Sequence, residues 1–124
     1  MNRSNPVVVV VDDSPSVKSL FEHSTASLGV ELKTFSSAAS SLAYLNSQKP
    51  ALLFLNIIMP DKDGLTFLRE LRGNPLHEDT AVIMISSKDY AQDRHAAWEL
   101  GALEFISKPM PMQAITEAVK KHIS

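Results

Sequence analysis

Three short runs of the chain are apolar at every position, namely Val7–Val11, Ala51–Leu55 and Ala81–Ile85. A strand with one solvated face alternates between apolar and polar residues, whereas a strand of a parallel sheet covered by helices on both faces is apolar throughout. No apolar stretch of the sequence approaches the roughly 20 residues that cross a bilayer. The runs therefore predict buried strands of a parallel sheet and no transmembrane segment.

Segments with helical spacing separate these runs from one another and from two further apolar runs, Leu32–Phe35 and Leu103–Ile106. In these segments apolar or small residues step by three and four positions, as they do on one face of a helix. The clearest sets are Val17, Leu20, Phe21, Ser24 and Leu28; Leu65, Leu68 and Leu71; and Ile115, Ala118, Val119 and Ile123. Five strand–helix units without repeats or a linker predict a single α/β domain over residues 1–124.

Local signals mark where the helices begin and end. Ser14-Pro15 is a helix cap followed by proline at the first helical position. Gly29 and Gly101 lie where a helix end favours a left-handed residue. Asn74-Pro75 interrupts the chain before the fourth strand.

The composition excludes several classes of function. Hydrophobic residues make up 44% of the chain and charged residues 21%, as in ordinary globular proteins. The net charge of -2 provides no basic field for nucleic acid or an anionic membrane, and the absence of cysteine removes disulfides and thiolate metal sites. The N-terminal residues MNRSNP lead directly into a strand, unlike a signal peptide. We therefore expect a cytoplasmic protein that binds neither nucleic acid nor membrane.

Polar clusters follow four of the five predicted strands. In chain order they are Asp12-Asp13, Asn56, Ser86-Ser87 and Ser107-Lys108. Ligands of open parallel sheets bind beyond the carboxyl ends of the strands, where the strand order reverses. Chance polar residues would scatter over both edges of the sheet, so the shared position of these clusters predicts one functional site.

Four motifs in order carry a resemblance to a known family. VVVVVDDSPSV contains a first strand and its acidic pair, and LLFLNIIMPDKDGL contains a third strand and its loop. AVIMISSKD and GALEFISKP contain the fourth and fifth strands. Over nearly its whole length the sequence resembles the receiver domain of two-component response regulators, the chemotaxis-regulator-like fold. The resemblance implies a flavodoxin-like receiver fold with helices on both faces of a five-stranded parallel sheet of order 2-1-3-4-5, and a cis bond between Lys108 and Pro109.

The resemblance also implies a magnesium-dependent phosphoryl-acceptor site, with Asn56 at the acceptor position. Phosphoryl transfer of this kind needs a carboxylate nucleophile, a divalent cation and fixed donors for the phosphoryl oxygens. Asp13 would bind Mg²⁺ directly, Asp12 would act mostly through water, and the carbonyl of Ile58 would complete the protein's share of the ligands. Lys108 would pair with the acceptor carboxylate and then with the phosphoryl group.

A switch is the third implication of the resemblance. Ser86 would hydrogen-bond the phosphoryl group, and Phe105 would fill the space that the hydroxyl leaves. This movement would repack the face formed by helix four, strand five and helix five, which a downstream protein target would bind. A histidine kinase or phosphotransfer protein would dock on the side of the acceptor site. For Phe105, plain core packing is an equally good interpretation.

Asn56 departs from the family pattern at its centre. The nitrogen lone pair of its amide is delocalised and its oxygen is a poor nucleophile, so we expect no acyl phosphate and weaker Mg²⁺ binding. Two origins of Asn56 fit the sequence equally: a native asparagine in an atypical receiver, or an aspartate-to-asparagine change that inactivates an ordinary one. The sequence therefore predicts a protein-binding signalling module rather than an enzyme. The alternative is an ordinary phosphotransfer receiver whose wild-type residue 56 is aspartate.

Other α/β proteins fit less well. A phosphatase that forms an aspartyl phosphate needs an aspartate nucleophile, which Asn56 removes. A flavodoxin-like electron carrier needs a phosphate loop rich in serine, threonine and glycine after strand one, where this chain has DDSPSV. A DNA-binding regulator needs an effector domain, and the five strand–helix units occupy the 124 residues.

The remaining unusual residues are predicted to have structural roles. Trp98 has alanine and leucine close by in sequence and is expected to be partly buried on a helix; a contribution to a partner face is the alternative. The histidines His23, His77, His95 and His122 lack metal-ligand spacing and are expected at the surface. The methionines Met59, Met84, Met110 and Met112 are expected to fill gaps or to lie in loops.

Overall fold

The computed structural model of the protein describes residues 5–123 and contains alternating strands and helices. The strands are β1 (Val7–Val11), β2 (Glu31–Phe35), β3 (Leu52–Asn56), β4 (Val82–Ser86) and β5 (Glu104–Ser107). The helices are α1 (Pro15–Thr25), α2 (Ala38–Leu45), α3 (Gly64–Arg72), α4 (Ala91–Glu99) and α5 (Met112–His122), with a short 3₁₀ helix at Pro75–His77. No helix within residues 5–123 is both long and apolar enough to cross a membrane.

The five strands form one parallel sheet in the order β2-β1-β3-β4-β5, which confirms the predicted topology. The register pairs Val9 with Leu53 and Leu55 with Met84, so the most apolar strands lie at the centre. The predicted strand ends were one residue short at three places, because Asn56, Ser86 and Ser107 are themselves the last residues of β3, β4 and β5. The backbone ladder therefore fixes these three residues directly.

Helices cover the sheet on both faces, as predicted, and each face has its own apolar core. On one face, α2, α3 and α4 pack on inward residues of the central strands, including Val9, Leu53 and Met84. On the other face, α1 and α5 pack on the alternate residues of the same strands, including Phe54 and Ile85. Because successive side chains of a strand point to opposite faces, this arrangement explains why the central strands are apolar throughout.

The local signals of the sequence have their predicted structural effects. The Ser14 side chain accepts a hydrogen bond from the backbone N–H of Val17 at the start of α1. Gly29 and Gly101 have φ angles of 70° and 80°, in the left-handed region that favours glycine. The peptide bond between Lys108 and Pro109 is cis, which confirms the isomer that the family resemblance implied.

The prediction for Trp98 was wrong. Its exposed fraction is 74%, because α4 contributes only Ala97 as a buried residue and the next position along a helix points about 100° away. Met112 also differs from expectation, since it is the first residue of α5 and 46% exposed. The methionines Met59, Met84 and Met110 are buried, as expected of residues that fill gaps.

The prediction of a surface position for His77 was also wrong. The His77 side chain is fully buried, with Nε2 2.6 Å from the carbonyl oxygen of Leu45 and Nδ1 2.8 Å from the hydroxyl of Thr80. The carbonyl can only accept, so Nε2 carries a proton and donates to it, and Nδ1 shares the second hydrogen bond with the hydroxyl of Thr80. Both ring nitrogens are satisfied, which explains how a polar ring is buried here without a metal role.

Candidate functional site

The polar strand ends meet at one edge of the sheet. Asn56 pairs in register with Ile85 of β4, and Ser86 pairs with Ser107 of β5. Lys108 is held next to them because its backbone N–H donates a 2.7 Å hydrogen bond to the carbonyl of Ser86. Parallel pairing therefore places three of the four clusters side by side, and Asp12 follows the neighbouring strand β1.

Asp12 and Lys108 form an ion pair across this edge. The Lys108 ammonium lies 2.7 Å from Oδ2 of Asp12, whose side chain is only 1% exposed. The other oxygen, Oδ1, accepts a 2.9 Å hydrogen bond from the backbone N–H of Ser14 at the start of α1. The Lys108 ammonium is not aligned for a hydrogen bond to Oδ2. Within the described residues this buried oxygen therefore has a charged neighbour but accepts no hydrogen bond. A buried carboxylate of this kind depends on the nearby ammonium.

Asn56 is 4% exposed and makes a hydrogen bond that an aspartate at the same position cannot make. Its amide nitrogen Nδ2 donates to the carbonyl oxygen of Ile58 over 2.5 Å. An ionised carboxylate only accepts hydrogen bonds, so it would leave this carbonyl without that donor. The side chain of Asn56 thus engages the carbonyl that the family resemblance assigned to the metal ion.

The residues fit a divalent cation only in part. Asp13 is exposed and, with Asp12, Ser14 and Lys18, lines a cleft of about 310 Å³ beside β1. The unaligned oxygen of Asp12 suits a hard cation, since Mg²⁺ prefers carboxylate and carbonyl oxygens. The Ile58 carbonyl, however, is already hydrogen-bonded, and the ammonium of Lys108 adjoins Asp12. The donor set therefore lacks the anionic group that position 56 would supply.

The ion pair of the site joins Asp12 and Lys108, and the side chains of Ser86 and Phe105 have other partners. The hydroxyl oxygen of Ser86, a residue only 1% exposed, accepts a 3.0 Å hydrogen bond from the backbone N–H of Lys88 in its own loop. The Phe105 ring is half-buried on β5, and the Arg94 guanidinium carbon lies 4.7 Å from the ring centroid. Within residues 5–123, the hydrogen bonds and ion pairs thus link Asp12 with Lys108 but do not reach Phe105.

Three residues that support the site were not singled out from the sequence. Asp61 accepts hydrogen bonds from the backbone N–H groups of Ala38 and Ala39, and so fastens the loop after β3 to the start of α2. These bonds, the one from Ala39 first, hold the pKa of the Asp61 carboxyl below its ordinary value. Asp63 caps α3 through the N–H groups of its first turn. A carboxylate two or three residues before an apolar helical pattern is the available sequence signal.

Gly64 is the third of these residues, and it allows a close approach to the acceptor position. A Cβ atom at Gly64 would lie 2.1 Å from the backbone carbonyl oxygen of Asn56. The backbone N–H of Gly64 also donates a 2.6 Å hydrogen bond to the carbonyl of Ile57. The start of α3 is therefore packed directly on the end of β3, and only glycine fits there.

An acidic residue after β1, a lysine after β5 and a doubly wound sheet of this order define a receiver domain of two-component signalling. The chain matches the family described as response regulator receiver domain over residues 8–120, and it belongs to that family.

The chain is similar to several known proteins. It is 34% identical over 105 residues to the cyclic di-GMP phosphodiesterase response regulator RpfG of Xanthomonas campestris, and the match covers 83% of this chain and 28% of RpfG. It is 28% identical to Protein PilG of Pseudomonas aeruginosa, over 94% of this chain and 86% of PilG. The chain thus spans about a quarter of RpfG and most of PilG.

A solved structure with the same fold is the phosphorylated cyanobacterial phytochrome response regulator RcpA. The TM-score is 0.88 at 21% identity, over 98% of this chain and 96% of that one. At this level of identity the likeness establishes the fold, which agrees with the sheet topology described above.

Proposed function

We propose that residues 1–124 form one receiver module that acts in the cytoplasm by binding protein partners and does not accept a phosphoryl group at position 56. The proposal is carried by one observation, the hydrogen bond from the Asn56 amide to the Ile58 carbonyl. That bond requires an amide N–H, and an amide lacks the nucleophilic carboxylate that forms an acyl phosphate. The module is therefore a signalling protein and not an enzyme.

The charges around position 56 support this proposal. In an acceptor site a lysine faces the carboxylate that is to be phosphorylated, whereas here the Lys108 ammonium faces Asp12. The positive charge is thus matched within the site without a carboxylate at position 56. Two unit charges about 4 Å apart, such as an ammonium and a carboxylate, interact by roughly 4 kcal/mol at an effective dielectric near 20, before the cost of desolvation is subtracted.

We also propose that the chain binds Mg²⁺ more weakly than a receiver with aspartate at position 56 would. Asp12 and Asp13 still provide carboxylates for the ion. A bound Mg²⁺ would supply charge neutralisation next to position 56. The residues Asp12, Asp13 and the Ile58 carbonyl would hold it, and the Asn56 amide competes for the last of these. The result is a cation site of lower affinity than an aspartate at position 56 would give.

Two surfaces are assigned to partners. A histidine kinase or phosphotransfer protein docks at the strand ends, beside Asp12 and Lys108. A downstream protein target docks on the face of α4, β5 and α5, where Trp98 is 74% exposed and Leu103 is 46% exposed. These two side chains, with Phe105, line a cleft of about 420 Å³, and large exposed apolar groups of this kind commonly mark protein interfaces.

A second function is favoured by the completeness of the site around Asn56. Asp12, Ser86 and Lys108 lie at the strand ends, and Gly64 allows the start of α3 to pack on the backbone of position 56. The presence of these residues around position 56 supports an ordinary phosphotransfer receiver in which only the acceptor is replaced. Where residue 56 is aspartate, the same module accepts a phosphoryl group from a histidine kinase, with Ser86 and Phe105 as its switch.

The test adds acetyl phosphate and Mg²⁺ to the chain and to its Asn56→Asp variant. Amide NMR spectra measure the response of each protein. The unaltered chain is expected to show no change around Ser86 and Phe105 beyond the effect of Mg²⁺ alone. The variant is expected to shift those signals for as long as the donor lasts. Donor-dependent shifts of equal size in the unaltered chain would contradict the proposal.

A further inference from the structure

Helix α4 is attached to the rest of the fold by few apolar contacts. Ala97 is the only buried residue of α4, and Trp98 is largely exposed to solvent. The residue before the helix, Tyr90, provides no side-chain hydrogen bond to its first turn. A helix with so little buried surface depends on its other contacts for its position, because tertiary packing normally supplies most helical stability.

Arg94 supplies two of those other contacts at once. Its guanidinium binds the Asp89 carboxylate through two nitrogens, and the contact from Nη2 to Oδ2 measures 3.1 Å. The same guanidinium lies over the ring of Phe105, with 4.7 Å between its carbon and the ring centroid. A planar guanidinium can make a forked contact to a carboxylate and stack on an aromatic face in a single conformation, which an ammonium group cannot do.

The two partners of Arg94 lie on different elements. Asp89 belongs to the loop between β4 and α4, three positions after Ser86, and Phe105 belongs to β5. The hydrogen bond from Arg94 holds the pKa of the Asp89 carboxyl below its ordinary value, and the Ser107 hydroxyl acts in the same direction. Arg94 therefore joins helix, loop and strand at a place where the Phe105 ring meets the surface.

We propose that Arg94 is a positioning residue that fastens α4 to β5 through Asp89 and Phe105. With both contacts in place, α4 lies against β5 and the Phe105 ring stays half-buried under the guanidinium. With them broken, α4 moves more freely and the ring leaves that position. The inference rests on the proposed function in one respect, since it assigns to Arg94 control of the shape of the face of α4, β5 and α5.

The position of Trp98 makes this control relevant to binding. Arg94 and Trp98 are four residues apart and lie on the same side of the helix. Both line the cleft of about 420 Å³ together with Leu103 and Phe105. A change in the Arg94 contacts therefore alters a wall of the cleft and the direction of its most exposed aromatic side chain. No phosphoryl group is needed for this coupling.

The test uses hydrogen–deuterium exchange of amides 91–99 and the ¹⁹F signals of two labels. The chain has one tryptophan, so 5-fluorotryptophan reports Trp98 without assignment. A 4-fluorophenylalanine label reports Phe105 and is assigned with a Phe105→Leu variant. The test variants are Arg94→Gln, Arg94→Lys and Asp89→Asn. Lys88→Gln is the matched control, since Lys88 is an exposed cation one residue from Asp89 and its variant loses the same charge.

Arg94→Gln is expected to speed exchange in α4 on the order of tenfold and to shift the signals of Phe105 and Trp98, because an exposed ion pair and a cation–π contact are lost together. Asp89→Asn should act in the same direction and Arg94→Lys should give an intermediate effect. The double variant of Arg94→Gln and Asp89→Asn should add little to Arg94→Gln alone, since both act on one contact. Lys88→Gln should change exchange less than twofold.

Two results would overturn the inference. One is exchange and ¹⁹F signals in Arg94→Gln that match those of the unaltered chain. The other is a Lys88→Gln effect as large as that of Arg94→Gln, which would indicate a general charge effect. Neither readout involves a phosphoryl donor, so the inference can fail while position 56 proves inert. Conversely, phosphorylation at position 56 would refute the proposed function and leave the role of Arg94 intact.

Discussion

The amide nitrogen of Asn56 donates a 2.5 Å hydrogen bond to the carbonyl oxygen of Ile58, two residues further along the chain. The contact closes the end of β3 on its own loop and uses the oxygen that the family pattern assigns to a metal ion. Asn56 therefore does more than lack a charge, because it also supplies a donor where a receiver with aspartate has none.

We predict that Asn56→Asp lowers the stability of the metal-free protein by about 1–3 kcal/mol, because the Ile58 carbonyl loses its donor in a buried site. The new carboxylate would also adjoin Asp12, whose side chain is 1% exposed, and like charges in such a place repel. Urea unfolding in EDTA measures the change. Equal or greater stability of the variant under these conditions would contradict the account.

Magnesium affinity should change in the opposite direction. Asn56→Asp adds an anionic oxygen and removes the donor from the Ile58 carbonyl, so we expect Mg²⁺ to bind at least on the order of tenfold more tightly to the variant. Isothermal titration calorimetry measures both affinities. Asp13→Asn in the variant background is the control and should reverse the gain. Equal affinities in the unaltered chain and Asn56→Asp would show that the amide is no obstacle to the metal.

Gly64→Ala is expected to destabilise the protein by ~1–3 kcal/mol, as overpacking of a well-packed region does. The added Cβ would lie 2.1 Å from the backbone oxygen of Asn56, so β3 and α3 must move apart. Gly73→Ala is the matched control, because its Cβ would meet its nearest atom, the backbone oxygen of Glu70, at 3.3 Å. Thermal unfolding of the two variants should differ clearly, and equal losses would argue against the close approach.

The lowered pKa of Asp61 predicts that the stability of the folded protein depends on pH. Its pKa is lowered from the ordinary value of 3.8, first by the hydrogen bond from the Ala39 backbone. In the pH range between the lowered pKa and 3.8, the unfolded chain binds more protons than the folded one. The stabilisation by Asp61 is therefore complete above pH 3.8 and is lost as pH falls through the lowered pKa. Urea midpoints of Asp61→Asn should fall less over this range than those of the unaltered chain, whereas parallel curves would contradict this role.

The sequence was sufficient for the fold because its central strands are apolar at consecutive positions. Continuous runs located β1, β3 and β4 to within one residue, and the polar residues after them marked the edge that carries the site. His77 was misjudged because its partner, the Leu45 carbonyl, is 32 residues away along the chain. Its burial follows from a contact that no local pattern indicates.

The contacts within the site were harder to predict from the sequence than the location of the site. The sequence placed Asn56, Asp12 and Lys108 at one edge but gave no distance between them, and the family resemblance paired Lys108 with position 56. In the structure residue 56 is an amide, and the Lys108 ammonium lies 2.7 Å from Asp12. The partner of a charged side chain depends on which opposite charges lie within a few ångströms. Those distances cannot be read from the sequence. Trp98 was misjudged for a related reason, because α4 has a weakly amphipathic sequence that does not define which side is buried.

The covalent state of residue 56 tests the central claim most directly. The unaltered chain and Asn56→Asp are incubated with acetyl phosphate and Mg²⁺, their intact masses are compared, and any phosphoryl group is located by peptide mapping after reduction with borohydride. The account predicts an unmodified mass for the chain and one labile phosphoryl group at position 56 of the variant. A labile phosphoryl group at position 56 of the unaltered chain would contradict it.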